Sequence, residues 1–308
     1  MISRSTLIGA LVVVELAIIG MAAQAVSGSS GSSSPSWTFD SHGWSQAGDP
    51  VTARLDKTFE TGGAPHVVVD VDNADVTIQA GAATSVHVAG TMSVSHVRGG
   101  VKASLDAVRT ADGVRVAVES GFVYGKITRE VHITVPPDAQ VEIASAGSVT
   151  TSGLHGKLIA RLSDGDIRIT NHRGDVDVTT SSGDIAMLDA QGARFALHTE
   201  DGALKLTSSG ADHVDALTHS GAIHAVDFRA VDGALQTNDG GIDVGFASES
   251  DATVSLHTDD GHISGAGGTA QDGDSASRSL RLGSGRGHFE ISTGDGSITI
   301  TPGANSHA

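Results

Sequence analysis

The chain has 308 residues, of which 40 are glycine, six are proline and none is cysteine; aromatic residues make up 3%. Without cysteine there is no disulfide frame, thiolate metal site, cysteine nucleophile or lipidated cysteine. The formal net charge of −17, with no basic cluster, excludes nucleic acid as an expected partner and gives the body no attraction to an anionic membrane surface.

The first predicted element spans residues 1–25. A short start carrying Arg4 precedes an apolar run from Leu7 to Ala25, broken only by Glu15 and Gln24. Ala23-Gln24-Ala25 fits the small-x-small pattern of a secretory cleavage site. An uncleaved membrane anchor is the rival, since a run of this length can just span a bilayer. A mid-membrane glutamate costs about 2.5–3.5 kcal/mol, which favours a transient signal. A buried helix of a cytosolic protein is the third reading. Under either of the first two, Arg4 stays inside and the rest is exported. Residues 26–50 read as a flexible linker around the Ser/Gly tract 27–36, with Trp37 and Trp44 just beyond the tract. The expected role of both tryptophans is packing on the folded body, with a place at the membrane interface as the alternative.

Residues 51–144 read as an irregular β region. Val67-Val68-Val69-Asp70-Val71, Val76-Thr77-Ile78, Val86-His87-Val88, Val114-Arg115-Val116-Ala117-Val118 and Val131-His132-Ile133-Thr134-Val135 supply its strands. Pro136-Pro137-Asp138 is a turn that opens a periodic region over 145–303.

In that region Gly147, Gly156, Gly165, Gly174, Gly183 and Gly192 fall nine residues apart. Every second one carries a stronger signature, as in Asp164-Gly165-Asp166-Ile167 and Ser182-Gly183-Asp184-Ile185. The stronger beats lie 18, 19, 19, 20, 20 and 35 residues apart, ending at Gly296. A period near 20 indicates stacked repeats. After each turn, apolar residues alternate with polar ones, as in Ile167-Arg168-Ile169 and Leu204-Lys205-Leu206. That is the pattern of a short strand with one buried face. Such a strand is stable only when stacked on its neighbours. The expected fold is an all-β parallel solenoid with two half-turns per coil. It would have roughly eight coils and a rod on the order of 40 Å. Right-handed winding follows the crossover preference. An antiparallel meander of Asp-Gly hairpins is the alternative, but it leaves the alternation of strong and weak beats unexplained. Ile167, Ile185, Leu204, Ile223, Ile242 and Ile263 are predicted to form one internal stack. The 35-residue gap is expected to hold a loop at 264–279.

The order of parts resembles the bacterial DUF4097 family, whose members carry an adhesin label. The matching segments are V-D-N-A-D-V-T-I (71–78), V-H-I-T-V-P-P-D-A-Q-V-E-I (131–143), S-A-G-S-V (145–149) and the serial S-G-D-I and D-G-x-I turns. The resemblance spans about residues 51–302. It implies an exported, right-handed β-helix-like solenoid and supplies no catalytic residue.

Individual motifs point the same way. Asp164, Asp201, Asp239 and Asp260 precede turn glycines and read as turn formers, not as the glycine-rich calcium nonapeptide. No histidine pair has helical zinc spacing. His198, His219 and His257 stand before strong turns and are candidates for a surface ladder. Asp166 and Asp184 are placed to stack on adjacent coils, but a glycosidase needs a carboxylate pair in a groove, usually with aromatic platforms. Phe195, Phe228, Phe246 and Phe289 alternate like core residues. No nucleotide-binding glycine loop or nucleophile elbow is present in a strand–helix context. The expectation is an exported, non-enzymatic envelope surface, adhesion or scaffold protein. No catalytic, cofactor-binding or metal-binding residue is assigned. The partner is an unidentified envelope protein or surface glycan, with membrane contact only through residues 7–25 if they stay uncleaved. A carbohydrate-active β-helix enzyme and a calcium-binding repeat protein are the alternatives.

Overall fold

The computed structural model describes residues 37–40, 43–46, 51–81, 84–95, 103–120, 126–145, 147–229, 231–265, 275–301 and 306–307. The N-terminal apolar segment lies outside these residues. Within the segment expected to be linker, Trp37–Asp40 and Gly43–Gln46 pair antiparallel, with Phe39 opposite Trp44. This hairpin belongs to a separate unit, Met1–Gly48.

From residue 49 onward the chain builds two long, mainly parallel sheets, and each coil contributes one strand to each sheet. Val176–Ser182 lies in the first sheet and Ile185–Leu188 in the second. The apolar alternation sets the register. In the second sheet Val76, Val149, Ile167, Ile185, Leu204, Ile223 and Ile242 stack directly on one another. Ile298 follows Ile242, and Ile263 follows Ile298. Every member is at most 1% exposed. Phe195, Phe228, Phe246 and Phe289 are also buried. The expected column therefore exists, with Ile298 interposed before its last member.

Stacking order departs from chain order at both ends. The coil 66–80 is flanked on one side by the strands 113–120 and 126–135, and on the other by 140–152. The turn at Pro136–Ala139 opens the return across it, with the Ala139 N–H donating to the Pro136 carbonyl. Antiparallel strands Val51–Glu60, Ser85–Ser95 and Ala103–Arg109 close that end. At the other end, Gly287–Asp295 and Ile298–Thr301 slot between the coil 232–246 and the earlier coil 252–265.

Of the segment expected to be a loop, 264–279, residues 266–274 lie outside the described residues, and both flanks are strand. Ile263–Gly265 is a strand, and Ala276–Leu282 pairs antiparallel with Ala252–Asp260. The alternation at Ala276, Leu280 and Leu282 buries those three side chains. Asp251 latches the returning chain. Its carboxylate accepts from the Ser284 hydroxyl at 2.8 Å and from Arg286 Nε at 2.6 Å. These partners, Ser284 first, hold its carboxyl well below the usual carboxylate range.

The strong and weak glycine beats are the two corners of each coil. At the strong corner, Gly165, Gly183, Gly202, Gly221, Gly240, Gly296 and Gly261 form a column. A Cβ on Gly202 would lie 2.0 Å from the Gly183 carbonyl oxygen. Left-handed backbone is not the common reason for glycine here. Gly165 has φ 117°, but Gly202, Gly221, Gly240 and Gly261 are absent from the positive-φ glycines. Close approach of one coil's backbone to the next is what all of them share. The repeat glycine of its coil is Gly240 and not Gly241, which places that beat 19 residues after Gly221.

A second regularity accompanies this column. Thr180, Thr199, Thr218, Thr237, Thr293 and Thr258 stack inside the first sheet, all buried. Each stands three residues before its turn glycine. Thr218 Oγ1 donates to the Gly202 carbonyl at 2.8 Å, and Thr237 Oγ1 to the Gly221 carbonyl at 2.9 Å. The hydroxyl that each coil buries is thus satisfied by the turn of its neighbour, which avoids the cost of an unpaired buried polar group.

Candidate functional site

The weak corner builds an open recess. After each second-sheet strand the chain turns through a residue in left-handed conformation. Gly153 (φ 72°), Asn171 (51°), Asp189 (54°), Ser208 (46°) and Asp227 (53°) occupy this place on successive coils. The backbone there is tied from coil to coil. Asn171 N–H donates to Leu188 O at 2.9 Å, and Asp189 N–H to Thr207 O at 3.1 Å. The next residue points inward, giving the buried series Leu154, His172, Ala190, Ser209 and Phe228. The residue after that, Arg173, Gln191 or Arg229, returns to the surface side of the corner, while Gly210 at the same place is buried.

Together these rows line an open trough of about 500 Å³, bounded at one end by Ala247, Ser248 and Glu249. Arg229 pairs with Asp212 at 3.2 Å. Arg173, Asp189, Asp227 and Glu249 have no ion-pair partner among the described residues.

Under the trough lies His172, 1% exposed. Neither ring nitrogen has a hydrogen-bond partner among the described residues. Burial pushes its imidazole down to about 4. The nearby backbone of Asp175 and Gly174 opposes part of this shift, while His155 adds to it. Since the folded value lies below the unfolded one, the unfolded chain takes the proton first. The native state therefore keeps full stability above about pH 6.5 and loses about 3 kcal/mol as pH falls to about 4. Replacing His172 with Leu, the side chain that Leu154 presents one coil away, is expected to flatten this dependence. Melting temperature measured from pH 7 to pH 4 for both proteins checks it; an unchanged slope would count against His172 as its source.

A family model described as Toastrack DUF4097 matches residues 65–301. The chain belongs to this family. No curated protein matches it. Among solved structures, the Toastrack chain is similar to a putative cell adhesion protein from Clostridium sporogenes ATCC 15579, at 13% identity and a TM-score of 0.28. That match covers 82% of this chain and 100% of the other. A putative adhesin from Bacteroides fragilis NCTC 9343 matches at 11% identity and a TM-score of 0.43, covering 80% and 97%. A putative lipid binding protein from Parabacteroides distasonis ATCC 8503 matches at 11% and 0.35, covering 82% and 97%.

In the Toastrack rod the residues singled out from sequence fall elsewhere than the trough. Asp166 and Asp184 stack as expected, at the strong corner. Their carboxylates are engaged: Asp184 N–H donates to Asp166 Oδ1 at 3.0 Å, and Ala203 N–H to Asp184 Oδ1 at 2.8 Å. They clamp adjacent coils. Asp164, Asp201, Asp239 and Asp260 share one outward row with Ser182, Ser220 and Asp295. No group of three metal-ligating residues suited to an ion occurs among the described residues.

The histidine ladder does not form. His198 stacks on Leu217, His219 on Asn238 and His257 on Ser292. A spacing of 21 residues on a 19-residue coil moves His219 two places along its strand, into the next outward row. The signal for the trough was present as Asn171, Asp189, Ser208 and Asp227, spaced 18, 19 and 19 residues apart. Their types resemble ordinary turns, so only the structure reveals that they share one corner.

Proposed function

We propose that this Toastrack protein is exported, carries no catalytic activity, and acts at the envelope surface as an adhesion or scaffold protein. The observation behind this reading is the trough, a repeated polar recess on a rod whose coils are tied by backbone and side-chain hydrogen bonds. Repeated recesses bind through several similar contacts, each of modest strength. The non-enzymatic reading is supported by Asp166 and Asp184, the stacked carboxylates nearest to a catalytic pair, which are occupied by backbone N–H groups. Residues 1–25 act, on this reading, as an export signal or membrane anchor, and the winding is right-handed. No helix among the described residues is long and apolar enough to cross a membrane.

The test combines location with chemistry. Protease added to intact cells of the native host should degrade the rod, and purified protein should adhere to isolated envelopes without releasing soluble sugar. A protease-protected cytosolic protein would overturn the export reading. Turnover abolished by Asp184→Ala would overturn the non-enzymatic one.

A further inference from the structure

We propose that the weak-corner trough binds an extended, uncharged polysaccharide laid along the stacking axis, about one sugar ring to each coil. The inference rests on the binding reading above and adds to it the site and the ligand class. The trough repeats with the coil. Asn171, Asp189, Ser208 and Asp227 present polar groups from four successive coils, about 4.8 Å apart. That interval is close to the length of one pyranose ring in an extended chain, so a linear polymer repeats the same contact from coil to coil.

The lining chooses among polymers. It consists of amide, hydroxyl, carboxylate and guanidinium groups, and Ala247 is its only apolar side chain. Sugar hydroxyls both donate and accept, and such a mixed set suits them. A lipid chain or an apolar peptide finds nothing to bury against. Asp189, Asp227 and Glu249 outnumber Arg173 and Arg229, on a chain of net charge −17. A polyanion is therefore repelled by the wall and the body alike. A peptide has no route by strand addition, because the Asn171, Asp189 and Ser208 N–H groups already donate to the next coil.

The corner conformation is an independent observation. Glycine holds this left-handed turn without strain, and Gly153 does so just outside the trough. Along the trough itself the place passes to Asn171, Asp189, Ser208 and Asp227, which hold it at a conformational cost. Polar side chains replace the easier residue where the recess runs.

Calorimetric titration of the full chain tests this, using linear neutral oligosaccharides (glucans, mannans and N-acetylglucosamine oligomers) from disaccharide to hexasaccharide. Oligogalacturonate and a polar peptide library are the comparators. Affinity is expected to rise with each added sugar up to the tetrasaccharide, which fills four coils, and then level off. Arg173→Ala, and Asp189→Gly combined with Asp227→Gly, should each weaken binding about tenfold or more, the loss of one or two hydrogen bonds to charged groups. The glycine variants should melt at or above the wild-type temperature, because glycine suits that backbone. Lost binding would then not be lost folding. Asp166→Ala should bind as wild type. The proposal is overturned if no neutral oligosaccharide binds saturably, if the anionic oligomer or a peptide binds more tightly, or if the trough substitutions change nothing. Should the wild type still adhere to isolated envelopes in those cases, the binding reading survives and only the ligand and site fall. Failure of both assays rejects both.

Discussion

Ile185→Asp is expected to abolish the native rod at ambient temperature or to lower its stability by at least about 4 kcal/mol. Ile185 is 1% exposed and is stacked between Ile167 and Leu204. A carboxylate there finds apolar side chains above, below and across the coil, and no donor to pair with. The adjacent Asp184→Ala is expected to cost about 1–2 kcal/mol, because it removes only an exposed carboxylate that accepts from the Ala203 N–H at 2.8 Å. Chemical denaturation followed by circular dichroism compares the two. Equal losses would reject the assignment of residue 185 to the interior and residue 184 to the outside.

Gly221→Ala is the second large effect. A Cβ at this position would sit 2.1 Å from the Gly202 carbonyl oxygen. That atom belongs to the backbone of the coil beneath and cannot swing aside as a side chain would. Relief requires the coils to separate, at a cost of about 3 kcal/mol, or about 10 °C in melting temperature. Gly241→Ala is the internal comparison. Its nearest atom, the Ser297 carbonyl oxygen, is 3.5 Å from the added carbon, so stability should change by no more than about 0.5 kcal/mol. A thermal melt of the two variants distinguishes the structural beat from its sequence neighbour. If Gly241→Ala were the damaging change, the glycine column would be misassigned.

These two predictions mark what was legible in the sequence. Period-two alternation and the glycine metre revealed the strands, the two-strand coil and the buried face, because both signals are local and repeat. The metre did not say why glycine recurs: a turn conformation and a close backbone approach leave the same letter. The Thr-x-x-Gly regularity, from Thr180 to Thr293, was readable too, but a buried threonine looks like any strand threonine until its acceptor lies on another coil. His172 was hidden for a different reason. Between Asn171 and Arg173 it reads as part of a polar surface turn, and only the corner geometry turns it inward. The fate of residues 276–282 and the place of Ile298 depend on pairing between distant segments, which no local period encodes.

The position of residues 287–301 has a consequence for how the rod comes into being. A solenoid assembled in synthesis order would add each coil to a finished face. Here the coil 252–265 is made earlier than the layer that separates it from 232–246. Until residue 301 has emerged, those two coils cannot occupy their final places, and the second sheet has nothing to join Ile242 to Ile263. A nascent chain interrupted before that point lacks an inner layer, so the rod is not merely shorter. It bears two facing apolar surfaces with no partner, the kind of exposure that chaperones and proteases recognise. Closure of that end of the rod thereby waits on residues 287–301.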